Sequence, residues 1–249
     1  MESTEVQRGL SSKIFGFIIL YTLQGLPYGL QSKFLPLYFR THGMSLSFIG
    51  MYKILLIPWV VKFLWAPAVD NMAENKHTWV KRSLLAMSIL CLLSSRISPN
   101  DSISLSVILF LMNTVTSIKD IAVDALLIES STHSQLVMGN TIQVVGFKAG
   151  SLITGGLYMW YIDTLTWNEI FCSLSFLYVV GYFICLFIIH PPEYQIGISP
   201  SPSSEFENEP NIGLFLTMKR KAQRYFRRII ETRGTRWMLK YMLFYKLGR

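Results

Sequence analysis

The chain has 249 residues, of which 51% are hydrophobic and only 15% charged, and its mean hydropathy is +0.37. A soluble domain of this size carries about 25% charged residues, so too little polar surface is present to cover a globule in water. The net charge of +8 would suit a nucleic-acid binder, but the basic residues lie in loops beside apolar runs. That placement is the positive-inside distribution of membrane proteins, and it argues for a lipid bilayer as the first partner and against nucleic acid.

Crossing a bilayer takes about 20 mostly apolar residues. By that measure the sequence predicts helices at Ile14–Tyr38, Leu46–Val69, Trp79–Ile97, Ile103–Ile128, Val137–Tyr161 and Ile170–His190. The third is the weakest, because Lys81, Arg82 and Arg96 crowd a short uncharged core and must sit at the interfaces or snorkel. The first apolar run has no small-residue cleavage site and is expected to act as its own insertion signal. A seventh run opens at Trp237 and is too short to span.

Counting Lys and Arg outside the helices gives thirteen on the side of the N-terminus against Arg40 and Arg96 on the other. The N-terminus is therefore expected in the cytosol. The expected organisation is a six-helix bundle over residues 1–190, a cytoplasmic linker over 191–236 and the start of a seventh helix over 237–249. Within the linker a Ser/Pro run with Glu205, Glu207 and Glu209 reads as disordered. The following stretch, with Leu214, Met218, Ala222, Tyr225 and Ile229 at helical spacing among arginines and lysines, reads as a basic amphipathic helix on an anionic leaflet. A solvated basic linker is the plainer alternative.

Ionisable residues inside membrane helices are costly and usually face a partner or a wet cavity. In the fourth predicted helix Asn113, Ser117, Asp120 and Asp124 fall on one face. In the first, Tyr21, Gln24, Tyr28 and Gln31 form a similar stripe. Two stripes suggest two helices lining one aqueous pathway. Lys148 lies about 16 Å into the fifth helix at 1.5 Å per residue, placed to pair with Asp120 or to meet an anionic substrate. Asp120 or Asp124 is a candidate carrier of a coupling proton. The structural alternative is that Asp124 and Lys62 sit near the cytosolic interface and Lys53 snorkels outward. Pro27, within Gly25-Leu26-Pro27-Tyr28-Gly29, is expected to kink the first helix, and Pro58 and Pro67 the second. Gly146 and Gly150 form a small-xxx-small face that permits close helix approach.

No zinc-protease helix motif or nucleophile elbow occurs. The four histidines fall at loops or helix ends, so no buried base for enzymatic acyl transfer is expected. The three cysteines, Cys91, Cys172 and Cys185, form no spacing motif and read as small apolar residues. Neither a metal nor a cofactor is expected.

Three strings carry a resemblance. They are Gln24-Gly25-Leu26-Pro27-Tyr28-Gly29-Leu30-Gln31, Lys62-Phe63-Leu64-Trp65-Ala66-Pro67-Ala68-Val69-Asp70, and Lys119-Asp120-Ile121-Ala122-Val123-Asp124-Ala125. They resemble the major facilitator superfamily, in the branch that joins acetyl-coenzyme A transporters to AmpG-type muropeptide permeases. The resemblance implies an all-α membrane protein of twelve helices in two halves that alternate access around a central site, with the first and fourth helices lining the cavity. It implies that Asp70 belongs to the latch of the helix two–three loop, although Asn71 stands where the family's usual arginine would follow. On this reading the chain is the N-terminal six-helix half with a truncated seventh helix. An incomplete gene model, a splice product or a half that pairs with another chain would each account for that. The expected activity is secondary transport of an anionic organic solute, acetyl-coenzyme A by resemblance. The alternative is a non-transporting half that binds or regulates a full-length partner.

Overall fold

The computed structural model describes residues 2–62, 76–99, 101–131, 133–187 and 237. The chain divides into two compact units, Met1–Glu193 and Tyr194–Arg249. The expected linker, its amphipathic helix and the seventh helix fall in the second unit and lie outside the described residues, apart from Trp237. Among the described residues the first unit is helical, with no strand, and comprises six rods.

Rod one joins an α-helix Glu2–Gly29, a π-turn Leu30–Phe34 and an α-helix Leu35–Thr41. Rod two joins Leu46–Tyr52, a 3₁₀ stretch Lys53–Leu56 and Ile57–Val60. Rods three and four are Lys76–Arg96 and Ser102–Ser130. Rod five joins His133–Leu152, a π-turn Ile153–Leu157 and Tyr158–Trp160. Rod six is Trp167–Phe187. All six correspond to the predicted helices, with rod one longer at both ends. Residues 63–69 and 188–190, at the predicted ends of helices two and six, lie outside the described residues.

Caps fix several boundaries. Ser45 accepts a hydrogen bond from the Phe48 amide at 3.2 Å and starts rod two. Asp101 accepts from the Ser104 hydroxyl at 2.6 Å and its amide at 3.3 Å, which relieves donors that a helix start leaves without partners. The Ser104 hydroxyl, with that amide, holds the Asp101 carboxyl below the usual carboxylate range. Thr166 and Glu169 bond reciprocally at the start of rod six, a capping box.

Rod one runs through Pro27 as α-helix, and its irregularity is the π-turn that opens at Leu30. Pro58 follows a 3₁₀ stretch. Among the described residues two helices pass by length and composition as membrane spans, Ser102–Ser130 and Trp167–Phe187, and Leu46–Trp59 is a shorter apolar helix. Rod three falls short because Lys76, Lys81, Arg82 and Arg96 flank its apolar core. It also turns serines inward: the Ser88 and Ser175 hydroxyls lie 2.8 Å apart, and Ser175 donates to the Ser88 carbonyl at 3.0 Å. Such hydroxyls join helices where lipid offers no hydrophobic drive between them.

Rod one is the hub, packed against rods four, five and six, while rod three packs against rods four and six. Its closest partner is rod five, and glycine is the reason. A Cβ at Gly150 would stand 1.9 Å from the Thr22 carbonyl oxygen, and one at Gly25 would stand 2.1 Å from that of Phe147. The small-xxx-small face therefore works by letting two backbones touch. We expect Gly150→Ala to destabilise the bundle by about 1–3 kcal/mol, the cost of overpacking. Gly50→Ala, where a Cβ would meet nothing within 4 Å, should instead stabilise by about 0.5–1 kcal/mol, the advantage of alanine over glycine inside a helix. Unfolding in mixed micelles followed by tryptophan fluorescence checks both.

Candidate functional site

The site begins with a carbonyl. A residue four positions before a proline loses its helical donor, because proline has no N–H. For Pro27 that residue is Leu23. Lys119 Nζ donates to the Leu23 carbonyl at 3.1 Å, and the Tyr178 hydroxyl donates to it at 3.2 Å. Lys119 is wholly buried, and its ammonium also lies 5.1 Å from the centre of the Tyr178 ring, within cation–π range. The arrangement recurs in rod two. The 3₁₀ donor that would answer the Leu55 carbonyl is Pro58, which has none, and Asn113 Nδ2 donates there at 2.7 Å. Rod four thus supplies hydrogen bonds that proline withholds in rods one and two.

Around these bonds the two polar stripes zip together. Gln31 and Asn113 exchange amide bonds at 3.2 and 2.7 Å. At the other end Asp124 Oδ1 accepts from the Tyr21 hydroxyl and from Gln143 Nε2, both at 3.0 Å. The numbering falls along rod four as it rises along rod one, so the rods are antiparallel. Gln24 is therefore level with Asp120, and Ser117 with Tyr28. In this middle layer Gln24 Nε2, Ser117 Oγ and Asp120 Oδ1 are buried without hydrogen-bond partners. Buried polar groups without partners are rare, and three in one layer set it apart from the satisfied ends of the seam.

Three aromatic rings lie beside that layer. Trp59 Nε1 donates to Asp120 Oδ2 at 2.5 Å. Its ring centre is 5.5 Å from that of Tyr28 and 5.7 Å from that of Phe147, and Tyr28 and Phe147 are 5.4 Å apart. Rods one, two and five therefore meet ring to ring next to a carboxylate from rod four.

The predicted site residues are thus distributed as follows. Gln24, Gln31, Asn113, Ser117, Asp120 and Asp124 meet at the seam between rods one and four, buried or partly buried, and Tyr28 stands at its exposed edge. Pro27 is buried in rod one. Lys62 is exposed at the described end of rod two and acts electrostatically on Asp120 and Asp124. Asp70 lies outside the described residues. Lys148 is exposed on rod five, among exposed Val144, Val145 and Leu152, and is not brought to Asp120. The buried cation of the bundle is Lys119, which the periodicity argument passed over. Its signal was a charge inside a 29-residue apolar helix, but the partner that keeps it there is a carbonyl in another rod. Trp59 and Phe147 carried no polar signal at all. The histidine reading also needs correction: His77 is buried, with its Nε2 2.9 Å from the Cys185 carbonyl in the last turn of rod six. That bond caps a helix end, where carbonyls lack donors. Among the described residues no group of three or more metal-ligating side chains occurs.

If Lys119 replaces the donor that Pro27 lacks, the two residues must be energetically coupled. Lys119→Met should cost about 2 kcal/mol in the native background, the scale of a hydrogen bond to a charged group. With Pro27→Ala, which restores an N–H to the Leu23 carbonyl, the same change should cost at least about 1 kcal/mol less. A double-mutant cycle of unfolding midpoints in mixed micelles measures the difference, and equal costs in both backgrounds would contradict the substitution.

Comparison with known proteins places these features in a family. Residues 13–103 match the family described as acetyl-coenzyme A transporter 1. An uncharacterised protein of Haemophilus influenzae is 27% identical over 207 residues, covering 79% of this chain and 49% of that protein. Putative transporter AmpG 4 of Rickettsia conorii is 25% identical over 194 residues, covering 74% and 46%. The anhydromuropeptide permease of Escherichia coli K12 is 26% identical over 168 residues, covering 65% and 34%. The chain thus spans half or less of the length of these relatives. Those of them whose names state a function are transporters or permeases, not enzymes, and as such indicate a membrane protein. The chain is thus similar, over residues 13–103, to the family described as acetyl-coenzyme A transporter 1, and over about three quarters of its length to a putative AmpG transporter.

Proposed function

We propose that this chain is the N-terminal six-helix half of a secondary transporter that moves an anionic organic solute by alternating access, with Asp120 or Asp124 carrying a coupling proton. The observation that carries the reading is the buried charged seam between rods one and four. Asp120 and Asp124 are held there among partly satisfied polar groups, and ionisable side chains inside membrane helices are costly and mark functional positions. Acetyl-coenzyme A is the first substrate to test, because the matched family is described by it. The Escherichia coli relative is named for anhydromuropeptides, which makes those the second. Lys148, exposed on rod five, is the cation available to an anionic solute. The site residues of this reading are Gln24, Tyr28, Gln31, Asn113, Ser117, Asp120, Asp124 and Lys148, with Pro27, Lys62 and Asp70 in gating. The excess of Lys and Arg on the N-terminal side supports a cytosolic N-terminus.

A second reading is a half that binds or regulates a full-length partner.

Uptake of labelled acetyl-coenzyme A into proteoliposomes, with and without an imposed proton gradient, tests the first reading. Asp120→Asn should cut gradient-driven uptake by about tenfold or more, the scale of losing a proton-transfer group. Lys148→Gln should raise the half-saturating substrate concentration by about tenfold, one lost charge-assisted contact. Unchanged kinetics in both variants would remove these roles. Inserted, folded protein with no uptake would leave the partner-binding reading.

A further inference from the structure

We propose that Trp59 is a positioning residue that reports the charge of Asp120 to an aromatic seal formed by Tyr28, Trp59 and Phe147. The inference rests on the reading of Asp120 as a proton carrier and says how its state would reach the helices that move. Asp120 uses its two oxygens unequally. Oδ2 accepts the Trp59 indole N–H at 2.5 Å, while Oδ1 is buried with no partner. A proton arriving at Asp120 adds to the unpartnered Oδ1, forming one O–H bond and taking the side chain from −1 to neutral. Oδ2 remains the acceptor for Trp59, but that bond is no longer charge-assisted, and charge-assisted bonds are roughly twice as strong as neutral ones.

The indole is well placed to pass the change on. It follows Pro58, in a rod whose hydrogen bonding switches from α to 3₁₀ and back between Leu46 and Val60. That backbone is held to rod four by the Asn113–Leu55 bond. The Trp59 ring meets Tyr28 of rod one and Phe147 of rod five, with centres 5.5 and 5.7 Å away. Three rods are therefore joined at one ring, and that ring is held by one carboxylate of a fourth. The seal tightens when Asp120 is charged and loosens when it is neutral.

Other groups also set the field at Asp120. On rod four these are Lys119 and Asp124, and on rod two Lys62. Rod one brings Tyr21 and rod six Tyr178. Rod five brings the uncharged Phe147 and Gln143, the latter bonded to Asp124. Of these groups only Asp120 bonds the indole.

The test uses the full chain in lipid nanodiscs, labelled with 5-fluorotryptophan and followed by ¹⁹F NMR. The six tryptophans give six lines, and the line lost in Trp59→Phe is that of Trp59. It is expected to shift as one sigmoid with pH, to become flat in Asp120→Asn and to keep its titration in Asp124→Asn. The other five lines report whether each variant is folded. A flat line in the native protein, a line that still titrates in Asp120→Asn, or one that flattens in folded Asp124→Asn would each overturn the proposal. Should Asp120→Asn fail to fold, Asp120→Glu answers instead: a displaced midpoint supports the link and an unchanged one overturns it. The transport reading fails separately. Uptake indifferent to Asp120→Asn with a titrating line leaves Trp59 linked to Asp120 but removes the coupling role. Lost uptake with a flat line does the reverse.

Discussion

Proline removes a backbone donor, and in a bundle suited to lipid the stranded carbonyl has no water to turn to. At Leu23 the answer is an ammonium from another helix, Lys119 Nζ at 3.1 Å, aided by the Tyr178 hydroxyl. Much of the site follows from that bond. It draws rod four against rod one in an antiparallel register, which sets Asp124 opposite Tyr21 and Asn113 opposite Gln31. It also explains how a lysine with no exposure is tolerated, since its charge meets a carbonyl dipole and an aromatic face instead of an ion-pair partner.

Glycine and proline divide the work between them. Gly25 and Gly150 let rods one and five touch backbone to backbone. Pro27 and Pro58 open the ladders of rods one and two so that rod four can enter them. Where the π-turns of rods one and five meet, Thr154 donates to the Leu26 carbonyl at 2.8 Å. Side-chain and backbone hydrogen bonding are exchanged at each irregularity, and polar residues concentrate there. Rods three and six, which lack such breaks, are joined instead by serine hydroxyls and by Trp167 Nε1 donating to the Ser94 carbonyl.

The only salt bridge among the described residues, Lys76–Glu129 at 2.9 Å, is partly exposed, and such pairs contribute little to stability. The charges that matter are the unpaired ones inside. Asp120 sits one residue from Lys119, yet the two side chains go to different rods, Asp120 to Trp59 and Lys119 to Leu23. Each side chain bonds a neutral partner in another rod rather than its charged neighbour.

The sequence by itself determined the class, the six helices and the two polar stripes, because apolar length and helical period are local properties that a single chain displays. The small-xxx-small face was legible for the same reason. Pro27 marks the Leu23 carbonyl, four residues back, as one that loses its donor, whereas the stranding of Leu55 depended on a 3₁₀ turn that only the structure displays. What answers each carbonyl was decided only in three dimensions. Lys119 outranked Lys148 as the buried cation because the helix rotation set by rod four's contact with rod one turns Lys119 inward, while glycine packing turns Lys148 out. The meeting of Tyr28, Trp59 and Phe147 was likewise invisible, for aromatic residues in apolar helices carry no sign of which rods they will join. Period tells which residues share a face, but only packing tells what that face will meet.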